Sequence, residues 1–153
     1  MSTSQGSDLS GLTGIEIIRQ GRALLAYVVR ADATRAATSF FTGEEASFQA
    51  GFVVYPAGGA VVPHVHLPVA RAVMGTSEML LVRKGRCIVD IYGADRVLAA
   101  SRELGTGDLV LLIDGGHGFR MLEDTVLLEV KQGPYSGQAE KERFDPPGEP
   151  GPK

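Results

Sequence analysis

The stretch GDLVLLIDGGHGFRMLEDTVLLEVKQG, residues 107–133, sets three short apolar runs between turn residues. GDLVLLI (107–113), HGFRML (117–122) and TVLLEVKQG (125–133) are of strand length, and DGG and EDT between them are turn chemistry. An amphipathic helix needs a longer run with apolar positions every three or four residues, which none of these offers. The same grammar extends upstream. IEIIRQ (15–20) and ALLAYVVR (23–30) meet at Gly21-Arg22, ASFQAGFVVYP (46–56) alternates in part, and SEMLLVRKGRCIVDIYG (77–93) reads as a hairpin turning at Lys84-Gly85. Only DATRAATSFFTGEE (32–45) has the composition for a short helix. Short strands spaced by turn signals predict an antiparallel sandwich or barrel. A parallel sheet requires crossovers of a dozen or more residues, and the chain has no room for them.

With 153 residues the chain is long enough for one substantial core and too short for two ordinary domains. Twenty glycines and eight prolines fit a turn-rich all-β chain better than one of long helices. The expected organisation is a flexible segment over 1–14, a β-domain over 15–144 and a disordered tail over 145–153, where DPPGEPGPK cannot hold regular structure. A net charge of −3 gives no electrostatic reason to expect nucleic acid or an anionic membrane as partner. Arg83, Lys84 and Arg86 surround a turn glycine and read as a solvated tip. Cys87 is the only cysteine, which excludes an internal disulfide and a cysteine-pair zinc site. The polar start MSTSQGSDLSG has no signal-peptide core, so a cytoplasmic location is expected.

Two of the three histidines, His64 and His66, stand one residue apart in PHVHLPVARAVMGTSEMLLVRKG (63–85). On a strand, residues i and i+2 project from the same face. Glu78 opens the next strand with Leu80 and Val82 in its phase, and His117 starts a strand after the DGG turn. Three imidazoles and a carboxylate suffice to hold one divalent transition metal: Fe, Mn, Ni, Cu or Zn. Ordinary packed or hydrogen-bonded histidines are the competing reading, and spacing alone leaves it open. Phe119 and Met121 share the phase of His117 and would wall a pocket there. Arg71 would pair with an anionic substrate group or lie on the surface. Glu129 and Lys131 share one strand face, either as an acid/base pair or as an exposed ion pair. Tyr55 and Cys87 read as packing residues.

These motifs resemble those of the cupin superfamily. The first cupin motif, G-x5-H-x-H-x(3,4)-E-x6-G, is similar to the run from Gly58 or Gly59 through His64, His66 and Glu78 to Gly85. The second, G-x5-P-x-G-x2-H-x3-N, resembles GDLVLLIDGGHGFRM, with Gly107, Gly115 and His117 in place. There are departures: eleven residues separate His66 from Glu78, Ile113 stands where proline is usual, the turn before His117 is shorter, and Met121 replaces the closing asparagine. The resemblance implies a jelly-roll barrel with His64, His66, Glu78 and His117 as metal ligands, and a homodimer. It also implies a small chelating substrate, such as a keto acid, an enediol or a sugar-derived carbonyl. The activity would be isomerisation, epimerisation or O2-dependent oxidation. The alternative is a metal-containing module that binds or senses a small molecule, such as a sugar, without turnover.

Overall fold

The computed structural model describes residues 13–134 and 137–147, so most of the expected N-terminal segment and the last part of the expected tail lie outside the described residues. Among the described residues there are ten strands: β1 (Ile15–Gln20), β2 (Ala23–Val29), β3 (Ser39–Phe40), β4 (Gly51–Phe52), β5 (Glu78–Lys84), β6 (Arg86–Tyr92), β7 (Leu98–Gly105), β8 (Leu109–Leu112), β9 (Gly116–Met121) and β10 (Val126–Lys131). One 3-10 turn follows at Gly137–Glu140. All pairings are antiparallel. A large sheet runs β1-β2-β8-β5-β10, a small sheet runs β7-β6-β9, and β3 and β4 form a separate ribbon. The all-β antiparallel class is as expected, and the strands lie in separate open sheets, not in one continuous closed sheet.

Alternation along β5 and β6 builds the core between the two sheets. Leu80 and Val82 of β5 meet Cys87, Val89 and Ile91 of β6, joined by Leu25, Val28, Leu104 and Val110, in one buried cluster. Burying each such aliphatic side chain contributes roughly 1.5–3 kcal/mol relative to leaving it in water. The opposite face of the large sheet is also covered. Tyr27, Val29 and Leu111 pack there with Phe41 from the segment that carries the ribbon.

Three local expectations are corrected. Residues 32–45 form no helix; β3 lies there instead, because Phe41 packs its ring 5.3 Å from Tyr27 and draws the chain extended across the sheet. The strand expected over 46–56 shrinks to Gly51–Phe52, and residues 53–77, which include His64 and His66, form no strand. The expected hairpin at Lys84-Gly85 is a crossing between sheets: β5 pairs with β8 and β10, whereas β6 pairs with β7 and β9. The β9–β10 connection crosses back in the same way, and Leu122 donates its N–H to the Arg86 carbonyl to join the two corners. The true hairpin partner of β6 is β7, which sequence reading passed over. Ser101, Arg102 and Glu103 interrupt its apolar pattern, yet Arg102 finds Glu16 of β1 and Ser101 finds Asp90 of β6.

Candidate functional site

Glu78 opens β5 and His117 is the second residue of β9, in opposite sheets, and the two meet. Glu78 is the first residue of β5, on the inner face with Leu80 and Val82, and its side chain is only 7% exposed. His117 pairs in register with Ile91, a core residue, so it faces inward from β9. The His117 Nε2 atom lies 3.2 Å from the Glu78 carboxylate. Backbone geometry prepares this position. Gly115 has φ +77° and its missing Cβ would sit 2.2 Å from the Tyr92 carbonyl, so only glycine permits the turn that launches β9.

The strand β10 completes the polar lining. Lys131 pairs in register with Glu78 and Glu129 with Leu80, which places both on the inner face of the large sheet. They form an ion pair at 3.4 Å. The pair is an ion pair on the strand face that carries Glu78, with the Glu129 side chain still 40% exposed, as the exposed-pair reading expects.

The C-terminal segment also reaches this mouth. Lys141 Nζ lies 4.0 Å from the other Glu78 oxygen. Phe144 stacks edge-on against Tyr92 at 5.3 Å and covers Gly116, while Glu142 pairs with Arg96 at 2.7 Å. Nothing in QAEKERF announces this role, because it depends on where the segment lands and not on a pattern within it.

The remaining predicted residues are distributed as follows. Phe119 packs partly buried against the core, its ring 6.0 Å from that of His117. Met121 shares the same phase but is 53% exposed at the far end of β9. Arg71 lines a different cavity, of about 560 Å³, with Glu44 and Glu45. Tyr55 is exposed, and Cys87 is fully buried, with its thiol pushed up by burial and by Asp108. His64 and His66 are exposed on the segment 53–77, with ring centroids 5.2 Å apart. His64 Nδ1 is 2.9 Å from the Val62 carbonyl. A carbonyl only accepts, so Nδ1 donates this hydrogen bond, the kind of contact that orients a ligating imidazole.

These donors suit a transition metal in two halves. Two ligand atoms each about 2.1 Å from one ion stand roughly 3.0 Å apart at a right angle and roughly 3.4 Å apart at the tetrahedral angle. The 3.2 Å between Glu78 and His117 falls in that interval. His64 and His66 offer a second pair of imidazoles on a separate segment. Among the described residues no three His, Cys, Asp or Glu side chains cluster as a complete ligand set.

Burial pushes the His117 imidazole below its ordinary value, Lys141 adds to that, and Glu78 and Glu129 oppose it. The folded protein therefore favours the neutral ring, which is the form that coordinates a metal. A depressed folded value also sets a pH dependence: this contribution to stability is present above the unfolded value of about 6.5 and is lost as pH falls through the folded value. In metal-free protein, the urea midpoint should decline as pH drops from about 7 to about 5.5, and His117→Phe should flatten that part of the profile. A midpoint that rises over this interval would reverse the sign assigned to His117.

No helix among the described residues is long and apolar enough to cross a membrane. No protein-family model matches the chain, and neither a curated protein nor a solved structure does.

Proposed function

We propose that this chain is a cupin-type metalloprotein whose two sheets represent a jelly-roll domain. One divalent transition ion, Fe, Mn, Ni, Cu or Zn, is held by Glu78 and His117 on the sandwich and by His64 and His66 from the segment 53–77. The observation that carries the reading is the approach of Glu78 to His117 from opposite sheets, at a spacing that suits two ligands of one ion. The burial that holds the His117 imidazole below its ordinary value supports it. When bound, the ion supplies Lewis-acid or redox chemistry to a small chelating anion such as a keto acid, an enediol or a sugar-derived carbonyl. The chain's own groups bind and orient that anion. Lys131 and Lys141 set positive charge at the mouth, Phe119 walls it, and Glu129 is the carboxylate nearest to hand for moving a proton. The activity is isomerisation, epimerisation or O2-dependent oxidation. Homodimerisation would use an edge of the large sheet, where, among the described residues, β1 and β10 each have one side without a strand partner.

A second reading, a binding or sensing module without turnover, is favoured by one observation: Glu129 is already paired with Lys131 and is not held ready as a base. Elemental analysis of protein purified without chelators should find about one transition ion per chain. A stoichiometry near zero, even after reconstitution with each of the five metals, would remove both readings. Oxygen uptake by iron-loaded protein with chelating keto acids or catechols then separates the oxidation from the other activities.

A further inference from the structure

The buried carboxylate of Glu78 is faced by side chains from two distant parts of the chain. His117 Nε2 lies 3.2 Å from one oxygen, and Lys141 Nζ lies 4.0 Å from the other. Lys131, opposite Glu78 in register, is drawn to Glu129 at 3.4 Å. Resting on the metal reading of Glu78 and His117, we propose that the C-terminal segment 137–147 is a latch on this site. In metal-free protein Lys141 is the cation beside Glu78, and the segment is released when a divalent ion is bound.

Charge decides which cation stays. A buried carboxylate without a counter-charge is strongly destabilising, and the Lys141 ammonium supplies that charge. A divalent ion brings two positive charges to the same group. One negative charge would then face three positive ones, so Lys141 is repelled. Its departure is easy. The Lys141 side chain is 59% exposed, and its flexible stem lets the ammonium swing into water. The charge stays at the mouth, where it meets an anionic ligand.

The rest of the segment is fastened by a few contacts at the surface. Glu142 bonds Arg96 at 2.7 Å, and both side chains are exposed. The Arg96 guanidinium lies 5.5 Å over the Phe144 ring, which meets Tyr92 edge-on at 5.3 Å. Phe144 sits over Gly116, the residue before His117, where a Cβ would stand 3.0 Å from the ring. The segment is thus held beside both members of the Glu78–His117 pair. Exposed ion pairs contribute little, so these fastenings open locally without unfolding either sheet.

Limited trypsin digestion of the intact chain, with and without Zn2+ and read by mass spectrometry, tests the latch, because the segment contains Lys141 and Arg143. Zinc should speed cleavage after both by about tenfold and leave cleavage after Arg22, in the β1–β2 turn, unchanged. Phe144→Ala should bring the metal-free chain close to the zinc-bound rate at the same two sites. Lys141→Met should bind zinc about 3- to 10-fold more tightly than the unaltered chain, as chelator competition measures it. Lys141→Arg keeps the charge and should bind zinc as the unaltered chain does. Lys141 is mostly exposed, so neither substitution disturbs the core. No zinc binding at all would overturn the latch, the four other ions then deciding the metal reading. Zinc bound with cleavage after Lys141 and Arg143 unchanged or slowed would overturn the latch alone. So would a Lys141→Met chain that binds zinc no more tightly than Lys141→Arg.

Discussion

Gly85→Ala is expected to lower the unfolding free energy by about 3 kcal/mol or more, the left-handed backbone contributing about 1–3 kcal/mol and a steric clash the rest. Gly85 has φ +81°, and a Cβ there would stand 2.4 Å from the Asp124 carbonyl oxygen and 2.8 Å from the Thr125 hydroxyl. Both neighbours belong to the second sheet-crossing corner, which is itself tied to the first. Thr125 donates to the Arg86 carbonyl at 2.9 Å, and Arg86 bonds Glu123 at 2.6 Å. The corner therefore cannot retreat without breaking its own bonds. Gly21 is the control: its φ is +58°, but nothing lies within 4 Å of the Cβ it lacks. Gly21→Ala should cost only about 1 kcal/mol, the price of the backbone conformation alone. Urea denaturation of both variants, with m unchanged, measures the difference. Equal losses at the two positions would show that the corners do not press on each other as described.

The second large effect concerns the metal. His117→Ala should lower affinity for the bound ion by more than about 100-fold, because even partners outside the ligand set commonly cost 10–100-fold. Glu78→Gln keeps an oxygen donor and removes the charge, so its loss should be smaller. Met121→Ala should leave affinity unchanged, since that side chain is half-exposed at the other end of β9. Competition with a coloured chelator gives the affinities, and circular dichroism establishes that each variant is folded. Full affinity in folded His117→Ala would take this histidine out of the site. A loss in His64→Ala or His66→Ala comparable to that in His117→Ala would join the segment 53–77 to the sandwich.

Much of the strand content was legible because alternation is local. The β1–β2 hairpin turns at Gly21-Arg22 as read, and Glu78, Leu80 and Val82 share the inner face of β5 as their spacing required. The three runs in 107–133 all became strands. Pairing was much less legible. Lys84-Gly85 between two alternating runs carries the same local signal whether the chain folds back on itself or passes to another sheet. The strand β7 was missed because Ser101, Arg102 and Glu103 look like loop chemistry until their partners on other strands are known. The helix expected over 32–45 lost to tertiary contacts, Phe41 against Tyr27 and Phe52, which local propensity does not contain.

By itself the sequence determined the class of this protein: period-two apolar runs between glycine-rich turns commit the backbone to antiparallel strands, whatever those strands later pair with. It also singled out His64, His66, Glu78 and His117 as chemistry-bearing residues. Only the tertiary structure decided that Glu78 and His117 meet across the sheets, that Glu129, Lys131 and Lys141 border them, and that Phe40, Phe41, Phe48 and Phe52 gather over the other face of the large sheet. The physical reason is that side-chain direction follows from a few consecutive backbone angles, whereas a neighbour across the core follows from the packing free energy of the whole chain.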